Sequence, residues 1–179
     1  MRKRAARTAC NVDVLVESRR WSGAGRIKAL LRRAVEAAAA ELSTGRVELA
    51  IVLTDDSAIR LLNRQWRGID KATNVLSFPA QAACGDAGSH PTLIGDIVLA
   101  YETIAGEADA EGKPFAHHLA HLAVHGFLHL NGYDHERNDD AEAMEQLERT
   151  ILRRLDIPDP YRPTAATAKK SAEAGARTR

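Results

Sequence analysis

The stretch His125-Gly-Phe-Leu-His129-Leu-Asn-Gly132-Tyr-Asp-His135 decides how the chain is read. It holds imidazoles at offsets 0, +4 and +10, with a glycine at +7. On a helix, positions i and i+4 share a face one turn apart, so His125 and His129 point the same way. Asn131-Gly132 then reads as a helix stop, because glycine takes the left-handed conformation that turns the chain back. Beyond that turn His135 can face the other two. Three neutral imidazoles converging on one point form a zinc site with an open fourth position, the arrangement of catalytic rather than structural zinc.

The spacing is that of the metzincin proteases, His-Glu-x-x-His-x-x-Gly-x-x-His, at four of five defining positions. The departure is Gly126, which stands where the protease carries its general base, and this argues against peptide hydrolysis. A zinc on three histidines lowers the pKa of its water toward ~7, which eases the loss of that base. A structural zinc would want a fourth protein ligand, for which Asp134 is the nearest candidate. His118, His121, His125 and His129 follow steps of +3, +4 and +4 along one helical stripe. His121 is therefore a candidate proton shuttle or phosphate contact, or else a polar wall of the cleft or a partner for another side chain.

Working outward, the histidine stretch ends a helix expected over residues 115–130, opened by Pro114. Apolar periodicity predicts earlier helices over 27–42, 58–66 and 101–111, and a last one after Asp139-Asp140. Alternating or apolar runs predict strands at Val12–Val16, Val47–Leu53, Asn74–Phe78 and Ile94–Ala100. The fold class is α+β: a small mixed β-sheet packed with helices, with a metal-binding central helix followed by a glycine turn. The expected organisation is a disordered basic extension over 1–11, a single metal-dependent hydrolase domain over 12–157, and a disordered tail over 158–179.

Across 179 residues, 45% are apolar and 27% charged, as in ordinary globular proteins, and the formal net charge of +1 gives no global nucleic-acid signature. The two cysteines, Cys10 and Cys84, make no disulfide framework, so a reducing cytoplasm is the simplest home. No apolar run approaches the ~20 residues of a membrane span, and MRKR is not followed by a signal-type apolar region.

A second polar constellation runs from Asn63 through Arg67-Gly68 to Thr73-Asn74-Val-Leu-Ser77-Phe78-Pro79. Arg67 sits at a turn, where its guanidinium can meet a phosphate in a forked geometry.

Taken together, His121-Leu-x-x-His125-Gly-x-Leu-His129-Leu-x-Gly132-Tyr-Asp-His135, Leu62-Asn63-x-x-x-Arg67-x-x-Asp70-Lys71-x-Thr73-Asn74-Val-Leu-Ser77-Phe78-Pro79 and Gly95-Asp96-Ile97 resemble the YbeY family of bacterial rRNA maturation factors. The resemblance covers about residues 12–157. Trp66 stands where an aromatic, often tyrosine, is usual, and Ala72 where proline is usual. The resemblance implies a metal-dependent, single-strand-specific endoribonuclease with one zinc ion on His125, His129 and His135 and a functional arginine at Arg67. It further implies action in maturation of rRNA ends, notably the 3′ end of 16S rRNA, and in ribosome quality control. RNA and the small ribosomal subunit or its assembly factors are the implied partners. Two alternatives remain: a non-catalytic ribosome-assembly factor with a structural zinc, and a zinc peptidase, which Gly126 disfavours.

Overall fold

The computed structural model describes residues 10–80, 91–135 and 137–162. Four strands and five helices follow one another as β1 (Cys10–Val16), α1 (Ala24–Glu41), β2 (Val47–Thr54), α2 (Asp56–Arg67), β3 (Val75–Pro79), β4 (Thr92–Ala100), α3 (Tyr101–Glu111), α4 (Phe115–Leu130) and α5 (Asn138–Arg153). The sheet order is β1-β2-β4-β3. β1 and β4 run parallel to β2, and β3 pairs antiparallel with β4. The α+β class with a small mixed sheet is therefore observed.

Side-chain alternation divides the sheet into two faces. Leu49, Ile51 and Leu53 of β2 and Ile97 and Leu99 of β4 bury with α1 and α4 in the main core. Val98, Ala100 and Leu76 turn the other way and meet Ile59 of α2 in a smaller core. α4 is apolar around most of its circumference, with Leu119, Leu122, Ala123, Val124, Phe127 and Leu128 all buried. It lies against α1, α3, α5, β3 and β4. A helix so enclosed cannot tilt or slide freely, which makes it a rigid base for the histidines it carries.

Two glycines fix the approach of α4 and β3. Gly95 has φ +134°, and a Cβ there would lie 2.1 Å from the Phe78 carbonyl oxygen. It follows a break in register between Glu48 and Leu49 that leaves Ile94 as an extra residue in β4. Gly126 lets the backbone of α4 come down onto the sheet, since a Cβ there would lie 3.0 Å from both Ile97 Cγ2 and Ser77 Oγ.

The domain boundaries differ from expectation at both ends. β1 begins at Cys10, inside the stretch read as an extension, because Cys10 and Asn11 pair with Val47 and Glu48 of β2. Residues 158–162, read as the start of the tail, are part of the described fold, and Lys113 Nζ donates to the Pro160 carbonyl at 2.6 Å. Residues 1–9 and 163–179, and Cys84 with its loop, lie outside the described residues. Burial, and then the nearby Glu36, raise the Cys10 thiol to about 11, so it stays protonated at neutral pH. No helix among the described residues is long and apolar enough to cross a membrane.

Candidate metal centre

α4 ends as its sequence dictates. Gly132 adopts φ +83°, its N–H donates to the His129 carbonyl at 3.0 Å, and the Tyr133 N–H donates to the Leu128 carbonyl at 3.1 Å. The Asn131 side chain closes the turn by donating to the Phe127 carbonyl at 2.8 Å. The chain then doubles back and brings His135 over the helix. Ring centroids of His125, His129 and His135 lie 4.6, 5.0 and 5.5 Å apart pairwise.

One ligand atom from each of the three lies within 4.8 Å of the others. The Nε2 atoms of His125 and His129 approach to 3.1 Å. Among the described residues no other histidine, cysteine or carboxylate joins this cluster. Asp134, the candidate fourth ligand, instead accepts from the His135 N–H at 2.7 Å. Burial, and then the neighbouring His125 and His135, push His129 below the usual imidazole pKa. A neutral imidazole is the ligating form, so the trio is chemically suited to a divalent ion.

A group the sequence reading did not single out completes this arrangement. Glu148 of α5 is wholly buried, and its Oε1 lies 2.8 Å from His125 Nδ1. Burial alone would raise its carboxyl. Hydrogen bonds from His121 and His125, then the Tyr161 hydroxyl, hold it at about 2. An ionised carboxylate only accepts, so His125 Nδ1 must be the donor and Nε2 keeps its lone pair for a metal. The sequence did contain a signal. Met144, Glu148, Ile151 and Leu152 share the buried stripe of α5, and a charge at a core position demands partners.

Facing the histidines across a cleft of about 590 Å³ are Arg67, Thr73, Asn74 and Ser77. Arg67 reaches it because α2 starts and stops at defined points. Asp55 caps its N-terminus by accepting from the Ala58 N–H at 3.1 Å, and Gly68 ends it at φ +71°. The following turn is pinned from inside by buried Asn63, whose Nδ2 donates to the Lys71 carbonyl at 2.7 Å. Asn74 donates to Glu107 at 3.0 Å, and Glu107 in turn meets His118 Nε2 at 2.8 Å. Arg67 itself is exposed and makes no hydrogen bond or ion pair among the described residues. Its guanidinium is thus available to an anion in the cleft.

His121 does not line this cleft. Its Nε2 lies 3.0 Å from Glu148 Oε2, its ring sits edge-on to Tyr161, and it borders a separate hollow with His117 and His118. The reading of His121 as a proton shuttle or phosphate contact is not carried by this geometry. Each +4 step overshoots a full helical turn by about 40°, so His121 is rotated toward α5 relative to His125 and His129. Gly126, by contrast, has a structural cause. A Cβ at this position would meet Ile97 Cγ2 and Ser77 Oγ at 3.0 Å, so any side chain here, the protease glutamate included, would have to push α4 or its neighbours aside.

Residues 16–156 match the family described as Endoribonuclease YbeY. The chain belongs to the YbeY family. Among its relatives are Endoribonuclease YbeY of Rhodopseudomonas palustris BisB18, 57% identical over 152 residues and covering 83% of this chain and 90% of that one. The protein of the same name from R. palustris BisB5 is 55% identical over 156 residues, covering 83% and 80%. The solution structure of TM1509 from Thermotoga maritima aligns with a TM-score of 0.52 at 24% identity, over 84% of this chain and 99% of that one, and shares the fold. The YbeY match spans all three converging histidines and Arg67.

Proposed function

We propose that this YbeY-family chain is a zinc-dependent, single-strand-specific endoribonuclease that acts in rRNA processing, notably 16S rRNA 3′-end maturation, and in ribosome quality control. The observation that carries the reading is the cleft with three ligand-competent imidazoles on one wall and the unengaged Arg67 on the other. Family membership supplies the substrate class, since the relatives are named endoribonucleases. The partners follow as RNA and the small ribosomal subunit or its assembly factors, and the location as the cytoplasm.

A bound zinc ion supplies Lewis acidity and acidifies a coordinated water. The remaining work falls to the chain's own groups. His125, His129 and His135 hold the ion, with Glu148 fixing the tautomer of His125. Arg67 grips the scissile phosphate and stabilises the charge that develops on it. Trp66, next to Arg67 in the last turn of α2, is 64% exposed and held edge-on to Phe78 at 5.7 Å. It offers a flat surface on which an unpaired base can stack, which suits single strands over duplexes.

The test uses immature small subunits bearing unprocessed 16S rRNA 3′ ends. Zinc-loaded wild type should trim them, and Arg67→Ala should not. Equal trimming by Arg67→Ala would remove the arginine from the mechanism. Full maturation by a protein that cleaves no RNA would favour a non-catalytic assembly factor.

A further inference from the structure

Glu148 is buried without any exposure, and its contacts come from three places. Oε1 accepts from His125 Nδ1, while Oε2 accepts from His121 Nε2 and from the Tyr161 hydroxyl. Tyr161 reaches it from the segment that follows α5. That segment is fastened along its length. The Ile157 N–H donates to the Leu152 carbonyl at 3.0 Å, Lys113 Nζ holds the Pro160 carbonyl, and Arg149 Nε lies 3.5 Å from Asp159. The Arg149 guanidinium also lies over the Tyr161 ring at 4.8 Å.

Tyr161 remains 40% exposed, so its ring fills little core. Its one buried polar contact is the bond to Glu148. His125 and His121 occupy one oxygen each, both from α4, and the Tyr161 hydroxyl adds a second bond to Oε2 from the segment beyond α5. With Oε1 bonded to His125 and Oε2 bonded to both His121 and Tyr161, the carboxylate cannot rotate without breaking charge-assisted bonds.

We propose that residues 157–162 form a strap whose Tyr161 hydroxyl is a positioning group for the metal centre. It locks the Glu148 carboxylate, which orients His125 with Nε2 toward the ion. This rests on the reading of His125, His129 and His135 as metal ligands. The segment beyond the last helix is thereby part of the metal centre, although it donates no ligand. His121 has the matching role on the other side of the carboxylate, as a holder of Glu148 rather than a group in the cleft.

The test measures zinc affinity of the full chain by competition with a chromophoric chelator, at a temperature where circular dichroism shows each metal-free protein folded. Tyr161→Phe should bind zinc about tenfold more weakly, the low end of what loss of an outer-shell partner does. Glu148→Gln should lose about 10- to 100-fold. The double variant should bind no more weakly than Glu148→Gln alone, because Tyr161 acts through that carboxylate. A strap that only stabilises the fold would leave the affinity of folded protein unchanged. If Glu148→Gln does not fold, Lys113→Met frees the strap at Pro160 without touching the centre, and it should weaken zinc in the same direction. Wild-type affinity in Tyr161→Phe, or a full additive loss in the double variant, would overturn the strap alone. A wild type that takes up no zinc would overturn the metal-centre reading and the strap with it.

Discussion

Gly126 is where the histidine-bearing helix α4 touches the sheet, and replacing it with alanine probes that contact. The added Cβ would lie 3.0 Å from Ile97 Cγ2, 3.0 Å from Ser77 Oγ and 3.2 Å from Ile97 Cδ1. Ile97 is wholly buried, so its side chain has nowhere to swing. Ser77 Oγ is tethered too, donating to the Gly126 carbonyl at 3.3 Å. Overpacking of this kind costs about 1–3 kcal/mol. Alanine recovers about 1 kcal/mol of helix propensity. The net expectation for Gly126→Ala is a destabilisation of roughly 1 kcal/mol, reaching 2 if the helix cannot shift. Gly106 of α3 is the control, because nothing lies within 4 Å of a Cβ there. Gly106→Ala should show only the propensity gain, a stabilisation of about 1 kcal/mol. Urea midpoints of the metal-free proteins, at unchanged slope, measure both. Gly126→Ala should also cleave RNA more slowly, since α4 backing away from β3 widens the gap between the histidines and Arg67. Equal stabilisation by the two substitutions would refute the close approach, and with it the steric reason for the absent glutamate.

Gly95→Ala combines a Cβ 2.1 Å from the Phe78 oxygen with φ +134°, and should cost at least about 3 kcal/mol, seen as lost soluble yield or a collapsed urea midpoint. Glu148 sets an acid limb. Its folded pKa of about 2 lies below the ordinary 4.5, so its contribution is present above about 4.5 and is lost as pH falls toward 2. The stability gap between wild type and Glu148→Gln should therefore narrow over that window, and a constant gap would contradict the charged carboxylate. Trp66→Ala should weaken single-stranded oligonucleotide binding by about 1–3 kcal/mol in fluorescence anisotropy, leaving zinc content unchanged. Undiminished binding would remove the stacking surface from the account.

The convergence of His125, His129 and His135 was readable because helical periodicity and a glycine stop translate spacing directly into direction. α3 and α4 were expected over 101–111 and 115–130, the residues they occupy. Arg67 was readable because Gly68 marks the turn that presents it. Glu148 and Tyr161 were not, since Glu148 meets His125 across 23 positions of chain and Tyr161 meets Glu148 across 13, and only the folded packing of α5 and the strap on α4 joins them. For His121 the sequence left a role in the cleft and a partnership with another side chain both open, and the winding of its stripe toward α5 gives it Glu148 as partner. The strap falls in the stretch read as tail from residue 158, because sequence alone does not say where the chain goes after a helix stops.

The most direct test of the central claim is cleavage of a labelled single-stranded RNA, with its duplex as control, by nuclease-free zinc-loaded protein. Wild type should cut the single strand and spare the duplex, while His129→Ala and Arg67→Ala should each reduce cutting by at least about 100-fold, the scale of losing one electrostatic stabiliser. Cutting that persists undiminished in both variants would contradict the assignment of this cleft as the catalytic site.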